Sequence, residues 1–127
     1  MTDNISNYEY RAPRVRVNFP VLVHTSHHRA AILNARCIDL SEDGLAAELL
    51  CAGILAPEIR DSLEVGREVT IIMTLPGHTN TTKLAARVTN HKVGSYGFAF
   101  IFSSKAEQDY IHQYFESRHR SIRRSAD

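Results

Sequence analysis

The chain has no apolar run near the roughly 18–20 residues that a membrane-spanning helix needs, so no membrane insertion is expected. Its start, Met1-Thr2-Asp3-Asn4, carries neither the basic nor the apolar region of a secretory signal, and the expected location is cytoplasmic. Cysteine is scarce. Cys37 and Cys51 are the only two, both among apolar neighbours, which points to buried free thiols rather than a disulfide framework. An excess of one charge is also missing: a net charge of +1 argues against the general electrostatic attraction that holds nucleic acid polymers. Lysine is rare as well, three residues against twelve arginines. Arginine is the side chain whose planar fork matches phosphate and guanine edges bidentately.

What is present is one domain's worth of chain: 127 residues, 43% hydrophobic and 23% charged, an ordinary globular composition. Residues 1–8 are polar and aperiodic and read as a flexible leader, residues 9–118 as the domain, and residues 119–127 as a basic flexible tail. From Val15 a strict alternation sets in, with Val15, Val17, Phe19, Val21 and Val23 on one face, the signature of a half-buried strand. Pro20 within it marks an edge or a bulge. Leu33, Ala35 and Cys37 give a second strand over Ala30–Leu40, and Leu45, Ala47 and Leu49 a third over Leu45–Leu50. Pro57 interrupts Ala52–Val65, where a loop with at most a helical turn is expected. Glu68–Leu75, Lys83–His91 and Tyr96–Phe102 alternate again. Six short strands with turn signals between them predict an all-β, antiparallel barrel or sandwich. After them Ser104 and Glu107 have the spacing of a capping box, and Ala106, Tyr110, Ile111, Tyr114 and Phe115 form an apolar stripe, so a C-terminal helix is expected from about Lys105 to about Arg118.

Catalysis is poorly supported. No nucleophile-elbow spacing surrounds Ser41, and Asp39 and Glu42 flank a turn rather than a recognisable cleft, so the chain is expected not to be an enzyme. His24, His27 and His28 cluster near a turn but lack a cysteine or carboxylate at ligand spacing, so no metal and no cofactor are expected.

Two stretches stand out. Asp39-Leu40-Ser41-Glu42-Asp43-Gly44 is the densest turn signal; its Asp and Ser can bond nearby backbone, its Gly can take positive φ, and its amides are expected to face an anion. Arg11, Arg14 and Arg16 cluster where the first strand begins. Arg14 and Arg16 share one face of that strand if it extends back to Arg14. Together these suit a ligand with phosphates and planar bases. The alternative is that the arginines pair with Glu9, Glu42 or Asp43 and merely cap the barrel.

The turn matches the (Asp/Asn)-x-Ser-x-x-Gly motif, and the chain resembles PilZ domains, which bind the bacterial messenger cyclic di-GMP. Further likeness lies in the arginine-rich entry, Phe19-Pro20-Val21, Leu63-x-x-Gly66 and Gly94-x-x-Gly97-x-x-Phe100, and covers about Glu9 to Phe115. The resemblance implies a six-stranded antiparallel β-barrel with a C-terminal helix, cyclic di-GMP as ligand and an unidentified protein effector. It carries binding roles to Arg14, Asp39, Ser41 and Gly44. The family's Arg-x-x-x-Arg motif is incomplete here: aligned through Pro13-Arg14-Val15, its first arginine falls on Tyr10. Arg11 is the inferred substitute, with Tyr10 as a stacking candidate and Arg16 as a further contact. The departure leaves a second reading open, a domain that has lost the nucleotide and serves as a protein-interaction module.

Overall fold

The computed structural model describes residues 14–26, 30–50, 57–92 and 94–126, with side chains through 117. Six strands, β1 (Arg14–Thr25), β2 (Ala31–Ser41), β3 (Gly44–Leu49), β4 (Glu68–Met73), β5 (Thr82–Lys92) and β6 (Ser95–Ile101), close a barrel in the order β1-β2-β3-β6-β5-β4. Every neighbouring pair is antiparallel. A short helix, α1 (Pro57–Ser62), precedes β4, and a long one, α2 (Lys105–Ala126), ends the chain.

The alternating residues explain the barrel. Val15, Phe19, Val21 and Val23 of β1 point inward with Leu45 and Ala47 of β3, Val69, Ile71 and Met73 of β4, and Leu84, Ala86 and Val88 of β5, forming one core. Closure removes the exposed strand edges that invite aggregation. Pro20 fits because β1 pairs with β4 only from Val21 to His24, so the proline lies where one side of β1 has no ladder to supply. Below that point the core is completed by α2, whose Ile111, Tyr114 and Phe115 are buried in it. Ala106, expected in the same stripe, is exposed, since the first turn of α2 has not yet reached the barrel.

The helix begins as its cap predicts: the Glu107 N–H donates to Ser104 Oγ at 3.1 Å. The reciprocal half is displaced by one residue, because Glu107 Oε1 accepts from the Ser103 N–H at 2.8 Å. The expected end near Arg118 is overrun, and the backbone stays helical to Ala126. Good helix formers in that stretch, with no proline or glycine to stop them, account for the continuation. His78, in the loop after β4, ties α2 to the barrel, with its Nδ1 2.6 Å from the Tyr110 hydroxyl and its ring edge-on to Tyr114. Among the described residues no helix is long and apolar enough to cross a membrane.

Three register shifts interrupt the ladders. Between β2 and β3, Cys37 faces Ala47 but Asp39 faces Ala46, so Ile38 has no opposite number. Between β5 and β6, Val88 faces Phe98 but Asn90 faces Gly97, and Thr89 is the extra residue. Between β1 and β2 the shift falls between Arg16 and Phe19. Bulges of this kind bend strands and help a small sheet to close.

Candidate functional site

The bulge at Ile38 decides where Asp39 points. Continued alternation from Ala35 and Cys37, both buried, would send Asp39 into the core; the extra residue puts it on the outer wall, half-exposed, and returns Leu40 to the interior. Thr89 does the same for Asn90 after buried Val88. The result is a transverse row on the outer wall: Arg16, Asp39, Ala46, Gly97 and Asn90, one residue from each of five adjoining strands. Three strand spacings of ~4.8 Å separate the backbones of Asp39 and Asn90, about 14 Å. Between them the floor is low. Ala46 carries only a methyl group, and Gly97 lies under Asn90, whose Nδ2 would be 2.6 Å from any Cβ added there. Gly97 belongs to the Gly94-x-x-Gly97-x-x-Phe100 pattern noted in the sequence, but no site role was given to it or to Asn90; a glycine amid Tyr96 and Phe98, where no turn needs it, was the available signal.

The turn itself is held by Ser41. Its buried Oγ accepts from the N–H groups of Asp43 at 3.2 Å and Gly44 at 3.1 Å, and its hydroxyl donates to the Gly44 carbonyl at 3.3 Å. Two of the amides expected to face an anion are therefore spent inside the turn. Gly44 departs from expectation too: its φ is not positive, and among the described residues the glycines that do take positive φ are Gly66, Gly77 and Gly94. It is required by close approach, since a Cβ at Gly44 would overlap the Phe98 carbonyl oxygen across the β3–β6 ladder. The Phe100 N–H donates to the Asp43 carbonyl at 2.7 Å and fixes the turn to β6.

Arg14 and Arg16 reach this turn from β1. Arg14 is the cross-strand partner of Ser41 and Arg16 of Asp39, and both arginines are exposed. Such facing residues have Cβ atoms about 4.5–5.5 Å apart. Neither guanidinium makes an ion pair among the described residues; Glu42 lies instead beside His112 of α2, Oε2 to Nδ1 3.9 Å. The capping alternative thus loses Glu42 and Asp43 as partners. Glu9, Tyr10 and Arg11 lie outside the described residues, as do His27, His28 and Cys51.

Beneath the row, Cys37 is a buried free thiol that donates to the Asp39 carbonyl oxygen at 3.3 Å. Burial, reinforced by the Asp39 charge, pushes its pKa up to about 12, while the hydrogen bond to the Asp39 backbone pulls slightly the other way. The thiol is therefore inert packing rather than a nucleophile. A cleft of about 800 Å³ lined by Arg60, Arg67, His91 and Tyr96 shares no residue with the turn. Among the described residues no group of His, Cys, Asp and Glu is placed to hold a metal. The chemistry on offer is recognition: two exposed arginines on the strand beside a half-exposed carboxylate, next to a low floor at Ala46 where a planar group can lie.

Comparison with known proteins agrees with this geometry. The PilZ domain model matches residues 10–117. The fold is similar to that of the PilZ domain of CeSA from a cellulose-synthesizing bacterium, at 18% identity over 85% of this chain and 99% of that one, with a TM-score of 0.63. It is similar to the PilZ domain of YcgR from Escherichia coli, solved with c-di-GMP, at 20% identity over 92% and 96% of the two chains and a TM-score of 0.65. The Bacillus subtilis inhibitor of motility MotI/DgrA shares it at 17% identity, over 87% of this chain and 51% of that one, with a TM-score of 0.63. No curated protein matches the chain.

Proposed function

Because the chain belongs to the PilZ domain family, we propose that it is a cyclic di-GMP receptor of the cytoplasm that signals to a protein effector and catalyses no reaction. The observation that carries this reading is the placement of Arg14 and Arg16 as cross-strand partners of Ser41 and Asp39, with neither guanidinium neutralised by a described residue. Arg14 takes a guanine edge or a phosphate in bidentate fashion, Arg16 adds positive charge, and the Asp39 carboxylate accepts from the N–H groups of a guanine lying on Ala46. Ser41 and Gly44 act through the shape of the turn. Arg11 stands in for the arginine that the family motif has at Tyr10, and Tyr10 stacks on a base. Binding draws the segment from Tyr8 to Arg14 onto the barrel and makes a new surface for the effector, a switch with no bond made or broken.

Calorimetric titration of cyclic di-GMP into the full chain tests this. Saturable heat with a raised thermal midpoint is the expected result; no heat and an unmoved midpoint at millimolar excess overturn the proposal.

One sequence feature favours a second reading. Without an arginine at position 10, one bidentate contact worth about 1–3 kcal/mol is missing, a loss of roughly five- to 150-fold in affinity. If Arg11 does not make that good, the domain is a protein-interaction module without nucleotide. Partner binding that survives combined replacement of Arg11, Arg14 and Ser41 identifies this case.

A further inference from the structure

A closed circuit of contacts joins the Asp39–Gly44 turn to the C-terminal helix. Glu42, in the middle of the turn, approaches His112 of α2, Oε2 to Nδ1 3.9 Å. The His112 ring stands edge-on to Phe102 at 5.9 Å between centroids, and Phe102 packs on Phe100 at 5.6 Å. Phe100 returns to the turn through its N–H, which donates to the Asp43 carbonyl at 2.7 Å. His112 lies on the same turns of α2 as buried Ile111, Tyr114 and Phe115, the residues that seat the helix in the core. Its Nε2 is buried and has no hydrogen-bond partner, which leaves Glu42 as the polar group the ring approaches among the described residues.

The spacing of the Glu42–His112 pair matters. At 3.9 Å it is too long for a hydrogen bond and is an ion pair only when the imidazole is protonated, and a small movement of the turn either closes it or parts it. A ligand bearing phosphates beside the turn raises the cost of a carboxylate at Glu42. The imidazole of His112 is the group positioned to relieve that cost.

We propose that His112 is a positioning residue for the ligand turn: by offsetting the Glu42 carboxylate it keeps the turn open to phosphates, and ligand binding in return tightens the seating of α2. The inference rests on the nucleotide reading above and adds to it a second output, on the face of the barrel where α2 packs rather than at the N-terminal arm. Coupling between two sites is reciprocal, so whatever the ligand does to α2, loosening His112 does to affinity.

The test uses the full chain, cyclic di-GMP as the probe, and a cycle of His112→Ala, Glu42→Gln and the double variant, each titrated calorimetrically and followed by hydrogen exchange across Tyr110–Phe115. The wild-type chain is expected to gain protection in α2 on binding. His112→Ala, which leaves the Glu42 carboxylate uncompensated beside the phosphates, is expected to bind about two- to fivefold more weakly, the range of a part-exposed pair. Glu42→Gln in the same chain restores affinity while leaving α2 unresponsive to ligand. A residue that merely stabilised the fold would give additive losses and no such rescue. Binding with unchanged α2 protection and an additive cycle overturns the inference and leaves the receptor reading standing. Absence of binding in the wild type overturns both. Should His112→Ala fail to fold, Glu42→Gln alone decides: an α2 response as large as in the wild type sinks the coupling.

Discussion

Gly44, whose partner across the β3–β6 ladder is Ala99, comes so close to the Phe98 carbonyl that no side chain fits between them. A Cβ on Gly44 would overlap the Phe98 carbonyl oxygen and lie 3.1 Å from its carbon and 3.2 Å from the Ala99 Cα. All three are backbone atoms and cannot swing aside. Gly44→Ala is therefore expected to cost about 1–3 kcal/mol or more as the strands are forced apart, read as a lowered thermal midpoint with the ligand absent. An unchanged midpoint would contradict the packing.

Arg14→Ala should behave in the opposite manner. The guanidinium is exposed and makes no ion pair among the described residues, so stability should stay within about 0.5 kcal/mol of the parent. Affinity for cyclic di-GMP, measured by calorimetry, should fall by roughly five- to 150-fold. A large loss of stability with unchanged affinity would assign the residue to the barrel instead of to the ligand.

Cys37 makes stability depend on alkaline pH. Its thiol has a folded-state pKa raised to about 12 from 9.0, chiefly by burial. The folded state thus holds a proton that the unfolded state releases first. The contribution is fully present below pH 9 and lost as the pH climbs toward 12. Urea midpoints should fall more steeply over that window in the parent than in Cys37→Ala, since other groups titrating there are common to both. In a Cys51→Ser background, iodoacetamide at pH 8 should label Cys37 only as fast as the chain unfolds.

His78 and Tyr110 offer a check on how α2 is held. Their 2.6 Å hydrogen bond is solvent-exposed, so its net worth is about 0.5–1.5 kcal/mol. His78→Ala and Tyr110→Phe should show a coupling energy of that size in a double-mutant cycle of thermal unfolding. Full additivity would mean that the hydrogen bond itself contributes nothing to holding the helix, leaving the His78 contact with Tyr114 to do so.

Much of this architecture was legible in the order of residues, for reasons that particular segments make plain. The barrel strands announce themselves because Val15 through Val23, and Val69 through Met73, bury one face and wet the other. The start of α2 was readable because Ser104 and Glu107 interact locally. The six-residue turn stood out because serine and glycine are close enough in sequence to bond one another. What stayed hidden was non-local. Nothing around Ile38 or Thr89 distinguishes a bulged residue from a paired one, so the outward turn of Asp39 and Asn90 could not be foreseen. The reason for Gly44 lies in a carbonyl contributed by β6. The link from Glu42 to His112 joins residues that only the closed barrel brings together, and the run of α2 to Ala126 depended on the absence of a stop signal rather than on the presence of one.

The bulge at Ile38 turns the aim of Asp39 into a question of parity. Whether the carboxylate meets solvent or core is set by whether the residue between Cys37 and Asp39 is counted in the ladder, and hardly at all by what that residue is. Exchanging Ile38 for another apolar residue leaves the offset intact and the site pointing outward. Removing it would place Asp39 directly after Cys37, in the outward phase of Arg36, so the aim would survive without the bulge. Drawing Ile38 into the ladder would instead bring Asp39 into the phase of Ala35 and Cys37 and drive a charge among Leu40, Ala47 and Val15. Along this strand the pairing register carries information that composition does not.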